Sequence, residues 1–145
     1  MFADNIHALT SARLAVIDID EDIQAAALVL SRPGIGLVVV CSTDGCMQGV
    51  LSKSNIVRHT ARSASTAFPA SQLMIRPIVK CRPQDDLHDV WKIMCERGLQ
   101  NMPVVDERDV PTGIVNIRDT LKSLLEQEEM QEQMLFNYVA GIGYR

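Results

Sequence analysis

The sequence predicts an α+β body made of two tandem β-α-β-β-α repeats, packed sheet to sheet with pseudo-two-fold symmetry. Three observations carry this expectation. A gapless shift of 64 positions brings Asp22 onto Asp86, Gly34 onto Gly98, Val40 onto Val104 and Gly49 onto Gly113. The same shift brings Ile23, Ala26, Ala27 and Leu30 onto Leu87, Val90, Trp91 and Met94; both quartets have the i, i+3, i+4, i+7 spacing of an apolar helix stripe. Finally, a half of about 50 residues buries too little surface to stand alone, so two halves are expected to share a core.

Each half reads in the same order. Short apolar strands, Leu14–Ile17 and Ile78–Cys81, enter acidic turns in which Asp22 and Asp86 are placed to cap a helix and meet its dipole. The helices are expected to stop at Gly34 and Gly98, since glycine best tolerates the left-handed cap. Apolar strands follow at Leu37–Cys41 and Met102–Val105, then polar turns, then third strands opening at Gly49 and Gly113. Second helices begin near Lys53 and Ile117. Pro103 lacks an amide donor, so its strand is expected at an edge or with that position unpaired. The expected units are a first repeat at 10–62, a small polar linker at 63–72, a second repeat at 73–125 and a C-terminal helical tail at 126–145. In the tail, Leu121 to Leu135 alternate with Glu and Gln. Phe136, Tyr138, Val139 and Ile142 gather before Gly141 and Gly143 are expected to break the helix.

Composition narrows the function. Hydrophobic residues make up 47% and charged residues 22% of 145, as in a packed domain, and the net charge of −4 argues against nucleic acid as the main partner. No apolar stretch approaches the roughly 20 residues that span a bilayer, and the N-terminus has neither a basic start nor an apolar run; a soluble, cytoplasmic protein is expected. Cys41, Cys46, Cys81 and Cys95 form no close pair with a second half, so neither a metal site nor a disulfide is expected. His7, His59 and His88 are scattered and read as surface or capping residues. No nucleophile elbow, phosphate loop ending in G-K-[ST] or H-E-x-x-H motif occurs, so the chain is read as a non-enzyme with no catalytic residues and no required cofactor.

The repeat, with Gly49-Val50-Leu51-Ser52-Lys53-Ser54-Asn55 and Gly113-Ile114-Val115-Asn116-Ile117-Arg118-Asp119 closing the third strands, resembles the cystathionine-β-synthase (CBS) domain pair, or Bateman module, in a stand-alone form. Met102-Pro103-Val104-Val105-Asp106 looks like that family's h-P-V-h-D strand, and Leu73 to Val79 looks like its unit-opening segment. The resemblance covers roughly residues 10–125. It implies adenosine-containing ligands (AMP, ADP, ATP or S-adenosylmethionine) bound in two clefts between the repeats, and homodimeric, disc-like assembly. It also implies that the aspartate of the motif holds the ribose and the hydroxyl residue lies near ribose or phosphate.

On this basis the nucleotide-binding cleft is expected to use Asp119, Asn116, Val115, Ile114 and Arg118, with Arg13, Ala15, Ile17, Gly36 and Val38 from the first repeat. A second, weaker cleft would use Ser52, Asn55, Leu51, Val79 and Met102, since Asn55 stands where the motif has its aspartate. Arg118 and Arg13 lead the cations for phosphate, followed by Arg32, Lys53, Arg97 and Lys122. Asp119 can accept two hydrogen bonds from a cis-diol, and the helix after Val115 is expected to offer unpaired amides to an anion. Asn116 with Asp119, and Ser52 with Asn55, also have the N-cap to N3 spacing of a capping pair, so both readings stand. Gly36 either admits the ligand or relieves turn strain. The leading function is a regulatory nucleotide sensor whose output passes to a separate effector protein. The rival is a non-nucleotide-binding interaction or scaffold module acting through dimerisation and its C-terminal helix.

Overall fold

The computed structural model describes residues 1–63, 65, 67–76 and 78–143. Ala64 and Thr66 of the expected linker, Pro77 of the second unit-opening segment, and Tyr144 and Arg145 of the tail lie outside the described residues.

The chain begins with a 3-10 turn (Ala3–Ile6) and helix α1 (His7–Ala12). The first repeat contributes β1 (Val16–Asp18), α2 (Ile23–Leu30), β2 (Leu37–Cys41), β3 (Met47–Ser52) and α3 (Lys53–Arg62). After the short helix α4 (Ala70–Leu73) come α5 (Leu87–Arg97), β4 (Asn101–Val105), β5 (Pro111–Asn116) and α6 (Ile117–Gly143). One sheet has the order β1-β2-β3, with β1 parallel and β3 antiparallel to β2; the other is the antiparallel pair β4-β5. Each hairpin carries a bulge at the same repeat position, between Val40 and Cys41 and between Val104 and Val105.

The capping logic holds in detail. Asp22 and Asp86 accept hydrogen bonds from the amides of Ala25 and Asp89, each at 3.1 Å. Gly98 ends α5 in the left-handed region at φ +65°. The first repeat departs from this: α2 ends at Leu30 rather than at Gly34. Pro33 disfavours helical geometry at Arg32, and Gly34 takes up its positive φ of 81° in the turn beyond.

The expected strand Ile78–Cys81 is reduced to one bridge, between Cys81 and Val104. Proline explains the loss. In the first repeat the Val39 amide donates to the Ala15 carbonyl at 2.9 Å. The 64-shifted partners are Pro103 and Val79, and Pro103 has no hydrogen to give. What remains is Cys81 donating to the Pro103 carbonyl at 2.9 Å and Val105 donating to Cys81 at 3.0 Å. β4 accordingly has one strand neighbour, as the position of Pro103 predicted.

The sheets face each other across a seam in which Leu37, Val39, Cys41 and Met47 meet Val105 and Ile114. The leading helices are exchanged: α1 packs on β5, and α4 on β3. This exchange accounts for the paired glycines. A Cβ at Gly113 would come within 2.6 Å of Thr10 Oγ1, and one at Gly49 within 2.5 Å of Met74 Sδ. Thr10 and Met74 are themselves equivalent under the shift. The tail is a single helix that runs on through Gly141 to Gly143, past the break the sequence suggested. Its first turns pack through Thr120, Ser123 and Leu124. Further on, Met130, Met134, Leu135, Phe136, Tyr138 and Val139 are exposed.

Candidate functional site

Between the repeats lies a cavity of about 860 Å³ whose wall is itself pseudo-symmetric. Gly34, Ile35, Gly36 and Leu37 line one side; their equivalents Gly98, Leu99, Gln100 and Asn101 line the other. The start of α3 (Ser52 to Asn55) and the start of α6 (Asn116 to Arg118) approach from the two repeats. The two expected clefts therefore meet in one cavity, which holds Arg13, Gly36, Asn116 and Arg118 from the leading set and Ser52, Asn55 and Val79 from the weaker one.

The other expected residues stand off the cavity wall. Ala15, Ile17, Val38 and Leu51 belong to the core of the first repeat, Val115 and Met102 to that of the second, and Ile114 to the seam. β5 is covered on both faces: Ile114 points to the opposite sheet, Val115 to α5 and its neighbours. Neither is left open to a ligand.

Asp119 is engaged by Arg13. Arg13 Nε donates to Asp119 Oδ2 at 2.5 Å and Nη2 to Oδ1 at 3.1 Å, while Nη1 donates to the Gly34 carbonyl at 2.8 Å. This fork ties the end of α1 to the start of α6 and to the turn after α2. The hydrogen bonds to Asp119 raise the Arg13 pKa above its ordinary value, against a smaller opposing effect of burial. Arg13 lines the cavity and Asp119 lies behind it.

The two helix starts differ. Asn116 caps α6: its Oδ1 accepts from the amides of Arg118 (3.0 Å) and Asp119 (3.2 Å), and the Ile117 amide donates to the Gln100 carbonyl at 2.9 Å. The unpaired amides expected after Val115 are thus satisfied within the chain. At α3, Ser52 and Asn55 form a reciprocal capping box, with the buried Asn55 Oδ1 accepting from the Ser52 amide at 2.8 Å. The Lys53 and Ser54 amides have no partner among the described residues. Open amides at a helix start favour an anion, and they stand beside the exposed Lys53. The Lys53 and Arg118 side chains also form no salt bridge among the described residues.

Asn101 was missed by sequence reasoning. Its Oδ1 accepts from Asn116 Nδ2 at 3.1 Å across the β4–β5 pair, and its amide nitrogen fills the space that a Cβ at Gly36 would enter, 2.8 Å away. Close approach of Asn101, rather than a positive φ, is what favours glycine there, since a Cβ would push the Asn101 amide aside. The available signal was a polar residue where the first repeat has Leu37. Ile35, Ile75, Ile78 and Leu99, which add apolar wall, had no such signal.

Away from the cavity, Cys41 and Cys81 are buried, and burial pushes their thiols up to about 11 and about 12. Asp86, His88 and Asp89 place ligand-type atoms within 4.8 Å of one another at the start of α5, where Asp86 already caps the helix. No helix among the described residues is long and apolar enough to cross a membrane.

Comparison with known proteins agrees with this architecture. The chain is 28% identical over 118 residues to arabinose 5-phosphate isomerase GutQ of Salmonella typhi, covering 80% of this chain and 37% of the isomerase, so it spans a little over a third of that relative. A CBS-domain-containing protein of Agrobacterium tumefaciens superposes with a TM-score of 0.73 at 25% identity, covering 85% of this chain and 98% of that one. A CBS domain protein of Pyrobaculum aerophilum, complexed with AMP, gives 0.73 at 20% identity over 82% and 89% of the two chains. The CBS domain family model matches twice, at residues 6–62 and 70–126, the two halves that the 64-residue shift had superposed. The chain belongs to the CBS-domain family, as a tandem pair of its repeats.

Proposed function

We propose that the chain is a regulatory, ligand-sensing module that binds an adenosine-containing nucleotide in the inter-repeat cavity and signals through a change of conformation or assembly. The observation that carries this reading is the junction, in one cavity, of an apolar wall with a cationic end. Ile35, Leu37, Ile78, Val79, Leu99 and Pro103 offer a flat base an apolar slot. Lys53, Arg118 and the open amides at the start of α3 suit phosphate. The volume is in the range of small-molecule sites, roughly 300–1,000 Å³. The AMP held by the Pyrobaculum relative supports the ligand class.

In this reading the phosphate sits nearer the start of α3 than the start of α6, whose amides are already bound. The ribose reaches Asp119 past the Arg13 guanidinium. A ligand shifts a conformational equilibrium only through unequal affinity for its states, and the Arg13 fork, which joins α1, the Gly34 turn and α6, is the contact a phosphate would disturb. The module works without catalysis, in the cytoplasm, as a homodimer, and passes its output to a separate effector.

Thermal shift against AMP, ADP, ATP, S-adenosylmethionine and NAD tests this. A native-selective ligand at a hundredfold its Kd adds about 2.7 kcal/mol, so a clear rise in the midpoint is expected with at least one of them. Lys53→Ala should weaken ATP more than S-adenosylmethionine. No rise with any member of the panel, or a rise untouched when Leu99→Trp fills the cavity, overturns the reading. The Arg13–Asp119 pair favours a second reading, a scaffold whose motif carboxylate is committed to holding helices together. In that case Asp119→Ala lowers stability and changes no ligand affinity.

A further inference from the structure

The inter-repeat cavity is pseudo-symmetric in its backbone but not in its hydrogen bonding. At the open end of each hairpin one residue pair faces across the strands, Leu37 opposite Ser52 in the first repeat and Asn101 opposite Asn116 in the second. Leu37 offers a ligand only apolar surface. Asn101 offers a carboxamide, and its neighbours fix which end of that group points where.

The direction follows from the cap of α6. Asn116 Oδ1 accepts from the backbone amides of Arg118 and Asp119 at 3.0 and 3.2 Å. A carboxamide has one acceptor end and one donor end, so Asn116 must turn its Nδ2 away from the helix. That nitrogen donates to Asn101 Oδ1 at 3.1 Å; with Asn101 reversed, two NH2 groups would be pressed together. Asn101 Nδ2 is therefore directed over Gly36, 2.8 Å from where a Cβ at Gly36 would stand. Asn101 and Gly36 both line the cavity. Asn101 is half-buried, and its Nδ2 has no acceptor among the described residues. Through two side chains, the helix cap holds an N–H donor of fixed direction at the cavity wall.

We propose that Asn101 is the specificity-determining residue of the cavity: its Nδ2 donates to an unprotonated ring nitrogen of a purine and so sets which way round the nucleotide lies. This rests on the nucleotide reading above. Between two equivalent walls a ligand could enter in either sense. A donor on the second-repeat wall, against Leu37 on the first, draws the base edge to Asn101, while the phosphate turns to the open Lys53 and Ser54 amides at the start of α3. A side chain held in place before the ligand arrives adds no ordering cost on binding, and a donor that binding would bury without an acceptor is penalised. Both effects favour a ligand that carries an acceptor there.

The test is calorimetric titration of the full chain with AMP and with its 1-deaza, 3-deaza and 7-deaza analogues, each of which replaces one ring nitrogen by C–H. One analogue should bind at least about tenfold more weakly than AMP. Two variants then ask whether Asn101 is the reason. Asn101→Leu copies the first repeat, and Asn101→Asp keeps an acceptor for Asn116 while removing the donor; circular dichroism confirms the folds. In each, the ratio between AMP and the weakened analogue should fall to about one, whatever happens to overall affinity. A residue that merely held the hairpin together would weaken both ligands alike and leave the ratio. If only one variant folds, its ratio decides. Three analogues as strong as AMP, or a ratio unchanged in the variants, overturns the assignment and leaves the nucleotide reading standing. AMP that fails to bind wild type overturns the assignment, and the nucleotide reading falls with it only when the other adenosine ligands also fail to bind.

Discussion

The two repeats share a strand register, and two equivalent pairs of positions account for much of what sets them apart. Val39 donates to Ala15 and completes a three-stranded sheet; Pro103 cannot donate to Val79, and the second sheet keeps two strands and a bridge. Asn55 turns back into the cap of its own helix, buried; Asp119 reaches out to Arg13. A carboxamide can complete a capping box and remain buried at little cost, because it is neutral. A carboxylate at the same place requires a cation or water. The lesson is that a repeat conserves its backbone frame while single donors and charges decide where it closes and where it stays open for other work.

Copying the proline of the second repeat into the first gives the harshest challenge to that comparison. Val39→Pro removes the Ala15 bond from a fully buried strand and should cost at least about 3 kcal/mol in urea denaturation. A loss below about 1 kcal/mol would mean that the ladder difference is incidental. Next in size are the two strand glycines. Gly113→Ala drives its methyl toward the Thr10 backbone, 2.9 Å away as well as its side chain, and should cost about 2–3 kcal/mol; Gly49→Ala meets the Met74 side chain, whose thioether can swing aside while its Cβ, 2.9 Å away, must shift slightly, and should cost about 1 kcal/mol. Equal losses would deny that the two exchanged helices are held differently. The smallest effect is the reverse of the first substitution. Pro103→Val restores a donor opposite Val79 and should add about 0.5 kcal/mol, with the new amide slowed in hydrogen exchange; a rapidly exchanging amide would show that the Val79 carbonyl is not in place to receive it.

Much of the frame was legible in the sequence because its signals are local. Helix caps at Asp22 and Asp86, the left-handed end at Gly98 and the strand edge at Pro103 each follow from one residue's chemistry. Gly49 and Gly113 announced the repeat, although not their purpose, which lies in residues 10 and 74 of the exchanged segments. The cavity was legible only in part. Asn116, Arg118, Arg13 and Gly36 line it, but Ile114, Val115, Ala15, Ile17 and Val38 are enclosed in the cores of the repeats and the seam between them, a fact that alternation within one strand does not reveal. The Arg13–Asp119 pair joins residues 106 positions apart, beyond the reach of any spacing rule. Lys53, the first-repeat cation beside open amides, drew less weight than the aspartate motif because whether an amide is free depends on what the neighbouring loop offers it.

The exchange of leading helices bears on how the molecule comes into being. Thr10 has its seat on Gly113, about a hundred residues later, so long-range closure of this kind makes for slow assembly. While the polypeptide is still being synthesised, helix α1 has no seat until β5 of the second half has emerged. Met74 reaches Gly49 from only 25 residues away, so the first half closes its flank early, and the last seat to fill is that of Thr10 on Gly113.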